Sequence, residues 1–184
     1  MLDAILCPEW EYRFFSFNGG WAPGMEMASM RDGCGNDWFL LFDPVGAALK
    51  GFAHELANDA SLGAGIRAQV PCEFSAFLDE PAFSMQEATF CYWRKVDDPS
   101  WSKVQGPLIE DGSDEMLSFL IAGPSGYAAW AEAYYEVPVS HEAVSAVFNH
   151  VPLTDEIIRM LNPDAEIDLT YREAAEIGYP RSAA

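Results

Sequence analysis

Between Gly24 and Glu55 the chain reads GMEMASMRDGCGNDWFLLFDPVGAALKGFAHE, three short runs divided by two sets of turn residues. Met25, Met27 and Ser29 alternate with Glu26, Ala28 and Met30, which is the period of a strand. Met, Glu and Ala also suit a helix, but the run is short and lies between Gly-rich turns. Arg31 to Asp37 reads as a loop, and WFLLF (38–42) as a central apolar strand. Asp43-Pro44-Val45-Gly46 matches a type I turn, with Asp first, Pro second and Gly fourth. Ala47 to Phe52 returns as the partner strand. Turns this short connect antiparallel neighbours, so residues 25–55 are expected to form a meander.

The flanking sequence extends this pattern. EWEYRFFSF (9–17) alternates Trp10, Tyr12 and Phe14 with Glu11 and Arg13, an aromatic strand that Asn18-Gly19-Gly20 should end with a turn. Residues 56–69 are rich in Ala and Gly and read as a loop with a turn of helix. Pro71 suits the first turn of a helix running from Val70 to Leu78. EATFCYWRKV (87–96) is a further strand, and Trp101 to Val104 can pair back onto it. Beyond the turn-rich segment 106–114 the period becomes helical. Ser113 opens a helix stopped at Gly123, and Pro124 or Ser125 opens the next. Ser140, Thr154 and Thr170 cap three more, the last ending at Gly178. Strands followed by helices predict an α+β fold, an antiparallel sheet from the N-terminal half with mostly C-terminal helices packed on one face. A single domain is expected over 1–184, β-rich through 1–107 and α-rich through 108–184.

Half of the 184 residues are apolar, enough for a substantial core. The acidic balance, 29 acids against 10 bases for a net charge of −19, opposes nucleic acid and anionic membrane and favours basic partners. No apolar run reaches the length of a membrane helix, and Asp3, Glu9 and Glu11 precede Arg13, unlike a secretory signal. A cytoplasmic location is expected. Cys7, Cys34, Cys72 and Cys91 form no CxxC pair, so free thiols are expected, buried at Cys72 and Cys91 and more exposed at Cys34. No cofactor or metal is called for.

Through EWEYRFFSFN, EMASMRDGCGNDWFLLF and GAALKGFAHE, and again through PAFSM (81–85), TFCYWRK (89–95) and PLTDEIIRMLNP (152–163), the chain resembles an uncharacterised bacterial protein family. Its members share the succession MASMR, Gly turn, KGFxHE. The resemblance implies a bacterial, cytoplasmic, globular protein and supplies no catalytic residue.

One polar cluster stands out: Arg31, Asp32, Asn36, Asp37, Lys50, His54 and Glu55. His54 and Glu55, at a strand end, are candidates for an acid/base pair, because histidine titrates near neutrality. Adjacent strand residues diverge, so an ion-paired or structural role is the plainer account. Arg31 can hold a carboxylate or phosphate, or pair with Asp32 or Asp37. Asp32, Asn36 and Asp43 fall at three positions of a calcium loop, but Cys34 and Asp37 break the template, and a polar hairpin turn suffices. Ser125 in GPSGY resembles a nucleophile elbow only faintly, since Tyr127 stands where a glycine belongs; a helix cap accounts for it. Tyr127, Trp130, Tyr134 and Tyr135 read as core or as a recognition face. Three functions follow: a binding protein of the immunity or antitoxin kind engaging a basic partner, a small hydrolase using His54, or a structural subunit that dimerises with itself.

Overall fold

The meander expected from Gly24–Glu55 lies at the centre of a six-stranded antiparallel sheet. The computed structural model describes residues 1–57, 61–106, 108 and 110–182. Strands β1 (Phe15–Ala22), β2 (Met25–Arg31), β3 (Asp37–Asp43), β4 (Gly46–Phe52), β5 (Phe90–Lys95) and β6 (Ser102–Lys103) stand side by side in chain order. Each strand therefore pairs with its neighbour in sequence, through short turns except between β4 and β5, where residues 53–89 intervene. Asp43 closes the β3–β4 turn with its carboxylate, accepting from the Val45 and Gly46 N–H groups at 2.8 and 3.0 Å.

The chain forms two compact units, residues 20–116 and residues 1–19 with 117–184. In the first, Met27 faces Leu41, Leu41 faces Ala48 and Ala48 faces Trp93. This face packs against α2 (Ser61–Arg67), α3 (Ser75–Leu78) and the irregular turns around them, through Leu62, Ile66, Phe74, Phe77 and Phe83. Burying each phenylalanine is worth about 1.5–3 kcal/mol. Residues of the opposite face, Met30, Trp38, Leu49 and Phe90, are buried as well. Burial on both faces explains why WFLLF is continuously apolar instead of alternating. Gly51 is required by this packing: a Cβ there would lie 1.9 Å from the Phe90 ring.

The other unit holds α1 (Leu2–Leu6), α5 (Ser118–Tyr135), α6 (His141–Phe148), α7 (Asp155–Leu161) and α8 (Ile167–Ile177), while the short α4 (Ser113–Met116) ends the sheet unit. Ser140 and Thr154 cap as expected, each accepting from the backbone N–H three residues on. Phe14 and Phe15 pack edge-on with Phe119, and Trp130 meets Phe15 edge-on and Phe14 at a tilt. At the centre of the unit sits a buried carboxylate, Asp3. It accepts from Tyr127 Oη at 2.5 Å, Tyr135 Oη at 2.8 Å and the Phe15 N–H at 2.8 Å. Burial first, then the Asp3 charge, pushes both tyrosine pKa values far upward, so both phenols stay protonated donors.

Several expectations are corrected. Residues 10–12 are a single 3-10 turn, and the strand starts at Phe15 and runs through Asn18-Gly19-Gly20. Gly19 serves close packing rather than a turn: a Cβ there would come within 2.8 Å of the Glu176 carbonyl oxygen. The reversal falls instead at Gly24, with φ +73°. The helix expected over 70–78 is a 3-10 turn (Cys72–Phe74) followed by α3. Residues 61–67 of the undecided stretch are helical, and 58–60 lie outside the described residues. Thr170 is not a cap; α8 starts three residues earlier and Thr170 Oγ1 donates back to the Glu166 carbonyl at 3.0 Å. All four cysteines are free, but the buried pair is Cys7 and Cys91, and Cys72, like Cys34, is exposed. Burial pushes the Cys91 thiol up to about 12, an inert thiol.

Candidate functional site

The meander folds its polar cluster into two separate arrangements. In the first, Asp37 and Lys50 share a sheet face, because Lys50 pairs in register with Phe39, two residues beyond Asp37. Their side chains meet diagonally, Nζ to Oδ1 at 2.8 Å. Lys50 is 0% exposed, and its ammonium lies 5.5 Å from the centres of both the Phe39 and Phe52 rings. A lysine enclosed in this way is held by its carboxylate and by two aromatic faces. Arg31 lies opposite Asp37 in the ladder.

The second arrangement surrounds His54. Asp32 Oδ1 accepts from the Cys34 and Asn36 N–H groups at 2.7 and 3.0 Å, the hairpin-turn account rather than a calcium loop. Asn36 Nδ2 donates to Asp32 Oδ2 at 2.6 Å. A carboxylate only accepts, so this bond fixes which way the amide faces. Asn36 Oδ1 then accepts from the His54 N–H at 2.9 Å and lies 3.0 Å from His54 Nδ1. In the neutral ring Nδ1 therefore carries the proton, and Nε2 is left as an acceptor. Gly35 fits against the imidazole, where a Cβ would lie 3.3 Å from His54 Cγ. His54 and Glu55 are both exposed.

His54 and Glu55 line a cleft of about 610 Å³ together with Cys34, Asn36, Lys103 and the 110–116 segment. Among the described residues five carboxylates line this space, Glu55, Glu110, Asp111, Asp114 and Glu115, with one ammonium, that of Lys103. That ammonium is already matched. Lys103 Nζ lies 2.8 Å from Asp111 Oδ2, donates to Ser113 Oγ at 2.8 Å and sits 5.3 Å from the Tyr92 ring centre. Burial acts to lower the Lys103 pKa, but its bonds to Asp111 and Tyr92 outweigh burial and raise it. Burial acts to raise the Asp111 pKa, and the bonds to Lys103 and Ser113 outweigh it and hold the carboxyl below its usual range. The cleft is thus anionic at neutral pH. Among the described residues no three His, Cys, Asp or Glu side chains are placed to hold a metal ion.

Of the sequence candidates, His54, Glu55 and Asn36 line the cleft, Asp32 braces Asn36 from behind, and Asp37 and Lys50 are engaged with each other. Lys103 and Asp111 escaped sequence reasoning. The available signal was four acids within the six residues Glu110–Glu115. No family model, curated protein or solved structure matches the chain, so the site rests on its own geometry. No helix among the described residues is long and apolar enough to cross a membrane.

Proposed function

We propose that the 20–116 unit is a binding module that presents its acidic cleft to a basic protein partner, as an immunity or antitoxin protein would to a cationic toxin. The observation that carries this reading is the concentration, among the described residues, of five carboxylates on one concavity with one ammonium, itself already ion-paired. A cleft lined by one sign of charge raises the local concentration of the opposite charge and speeds encounter. A lysine or arginine side chain entering it would exchange water for carboxylate oxygens, with His54 Nε2 as a further acceptor at the rim.

Titration of the labelled chain with an oligolysine peptide, followed by amide chemical shifts, tests the module. Shifts should concentrate at residues 54–56, 103 and 110–116, and affinity should fall steeply between low and high salt. Uniform shifts over the surface, or affinity indifferent to salt, would sink the reading. A second reading, a small hydrolase with His54 as base, draws on the Nδ1–H tautomer that Asn36 imposes. It requires hydrolytic activity that disappears in His54→Ala.

A further inference from the structure

Ser125 behaves unlike a capping serine. Gly123 breaks α5, with φ 65° and ψ −169°. Pro124 opens the second arm, so Ser125 stands in its first turn. Gly126 keeps this corner tight, since a Cβ there would meet the Ala122 Cβ at 2.3 Å. A capping serine turns its oxygen to a backbone N–H of its own helix. Ser125 turns it to an imidazole on another helix: Oγ lies 2.8 Å from Nε2 of His141, the first residue of α6. One turn further along α6, Ser145 Oγ lies 3.5 Å from His141 Nδ1. Both Ser125 and His141 are open to solvent in the unit formed by residues 1–19 and 117–184.

We propose that Ser125 is a nucleophile activated by His141, and that the pair hydrolyses carboxylic esters with an apolar acyl group. A hydroxyl and a base within hydrogen-bond reach, with a third polar group behind the base, is the arrangement that nucleophilic catalysis needs. His141 Nε2 takes the Oγ proton as Oγ bonds to the ester carbonyl carbon. The carbonyl π electrons move to its oxygen, where the positive end of the 124–135 helical arm favours the charge. Collapse breaks the ester C–O bond, and the alcohol departs with the proton from His141. Water then attacks the acyl-serine, giving its proton to His141; the carboxylic acid leaves and Oγ recovers its proton. Ester and water are consumed, and acid and alcohol are formed. Leu120 and Ile121, 54% and 88% exposed on the arm before Gly123, offer apolar surface to the acyl chain. The site lies outside the acidic-cleft unit, so its fate is separable from that of the binding module.

The experiment treats the full chain with a fluorophosphonate probe and reads intact mass and peptide maps, with p-nitrophenyl butyrate hydrolysis measured alongside. One adduct is expected, on Ser125, formed with loss of fluoride. It should be absent in Ser125→Ala and form at least about tenfold more slowly in His141→Ala, with ester hydrolysis falling in parallel. Since Ser125 and His141 are exposed, both variants should keep the wild-type circular dichroism spectrum; Ser125→Cys, labelled by a thiol-reactive probe, checks that the position remains accessible. A wild-type chain that takes no label, or labelling and hydrolysis that persist in Ser125→Ala, overturns the proposal.

Discussion

Asp3 shows how much one side chain can decide. Its carboxylate is 4% exposed and is the shared acceptor for two tyrosine hydroxyls and a backbone N–H. Those donors come from α5 and from the start of β1, so a single anion ties the first helix to both. Asp3→Ala would leave Tyr127 Oη buried without its acceptor, and each unsatisfied buried donor costs about 1–3 kcal/mol. We expect a loss of about 3 kcal/mol in urea unfolding, with Asp3→Asn losing less because it keeps one carbonyl oxygen. A loss below about 1 kcal/mol for Asp3→Ala would mean that water replaces the carboxylate, contrary to the burial seen. Nothing in the sequence around LDAIL announces this role, since the two tyrosine partners lie more than a hundred residues away.

At the scale of elements, the Lys103–Asp111 ion pair fastens β6 to the segment leading into α4. Its pH dependence follows from the two shifts. Asp111 has a lowered folded-state pKa, so its contribution is complete above the ordinary aspartate value of about 3.9 and is lost as pH falls through the lowered one. Lys103 has a raised pKa, so its contribution is complete below about 10.4 and is lost as pH rises through the raised value. The stability difference between wild type and Asp111→Asn should therefore be flat from about pH 5 to 9 and shrink only toward the two extremes. A difference that vanishes near pH 7 would refute the pairing. Elements of this kind were legible where local chemistry acts alone: the Asp-Pro-x-Gly turn, the Ser140 and Thr154 caps and the Gly123 break all stand where the residues place them. The misses share a physical cause. Gly19-Gly20 resembles a turn until the Glu176 carbonyl fills the space beside Gly19. Trp10 and Tyr12 look like a strand face, yet both are exposed. The cleft was half legible, because His54 and Asn36 belong to the meander while Lys103 and Asp111 reach it only through tertiary packing. Ser125 and His141, sixteen residues apart, meet through helix packing that no local pattern encodes.

For the whole molecule, the question is whether its charge acts as a total or as a place. With 29 acids against 10 bases, the chain would draw any polycation by long-range attraction alone, without a designed cleft. Two variants of equal charge separate the alternatives. One neutralises four cleft carboxylates, through Glu55→Gln, Glu110→Gln, Asp114→Asn and Glu115→Gln. The other neutralises four exposed carboxylates of the remaining unit, through Glu11→Gln, Glu142→Gln, Glu156→Gln and Glu176→Gln. Asp111 is left in place in both, so that the Lys103 tie survives. If the cleft is the site, oligolysine affinity at physiological salt should fall about tenfold or more in the first variant, equivalent to about 1.4 kcal/mol, and by less than about threefold in the second. Because the two carry the same net charge, screening acts on both alike. Equal losses would show that total charge attracts the peptide, and the cleft would then have no claim as a binding site.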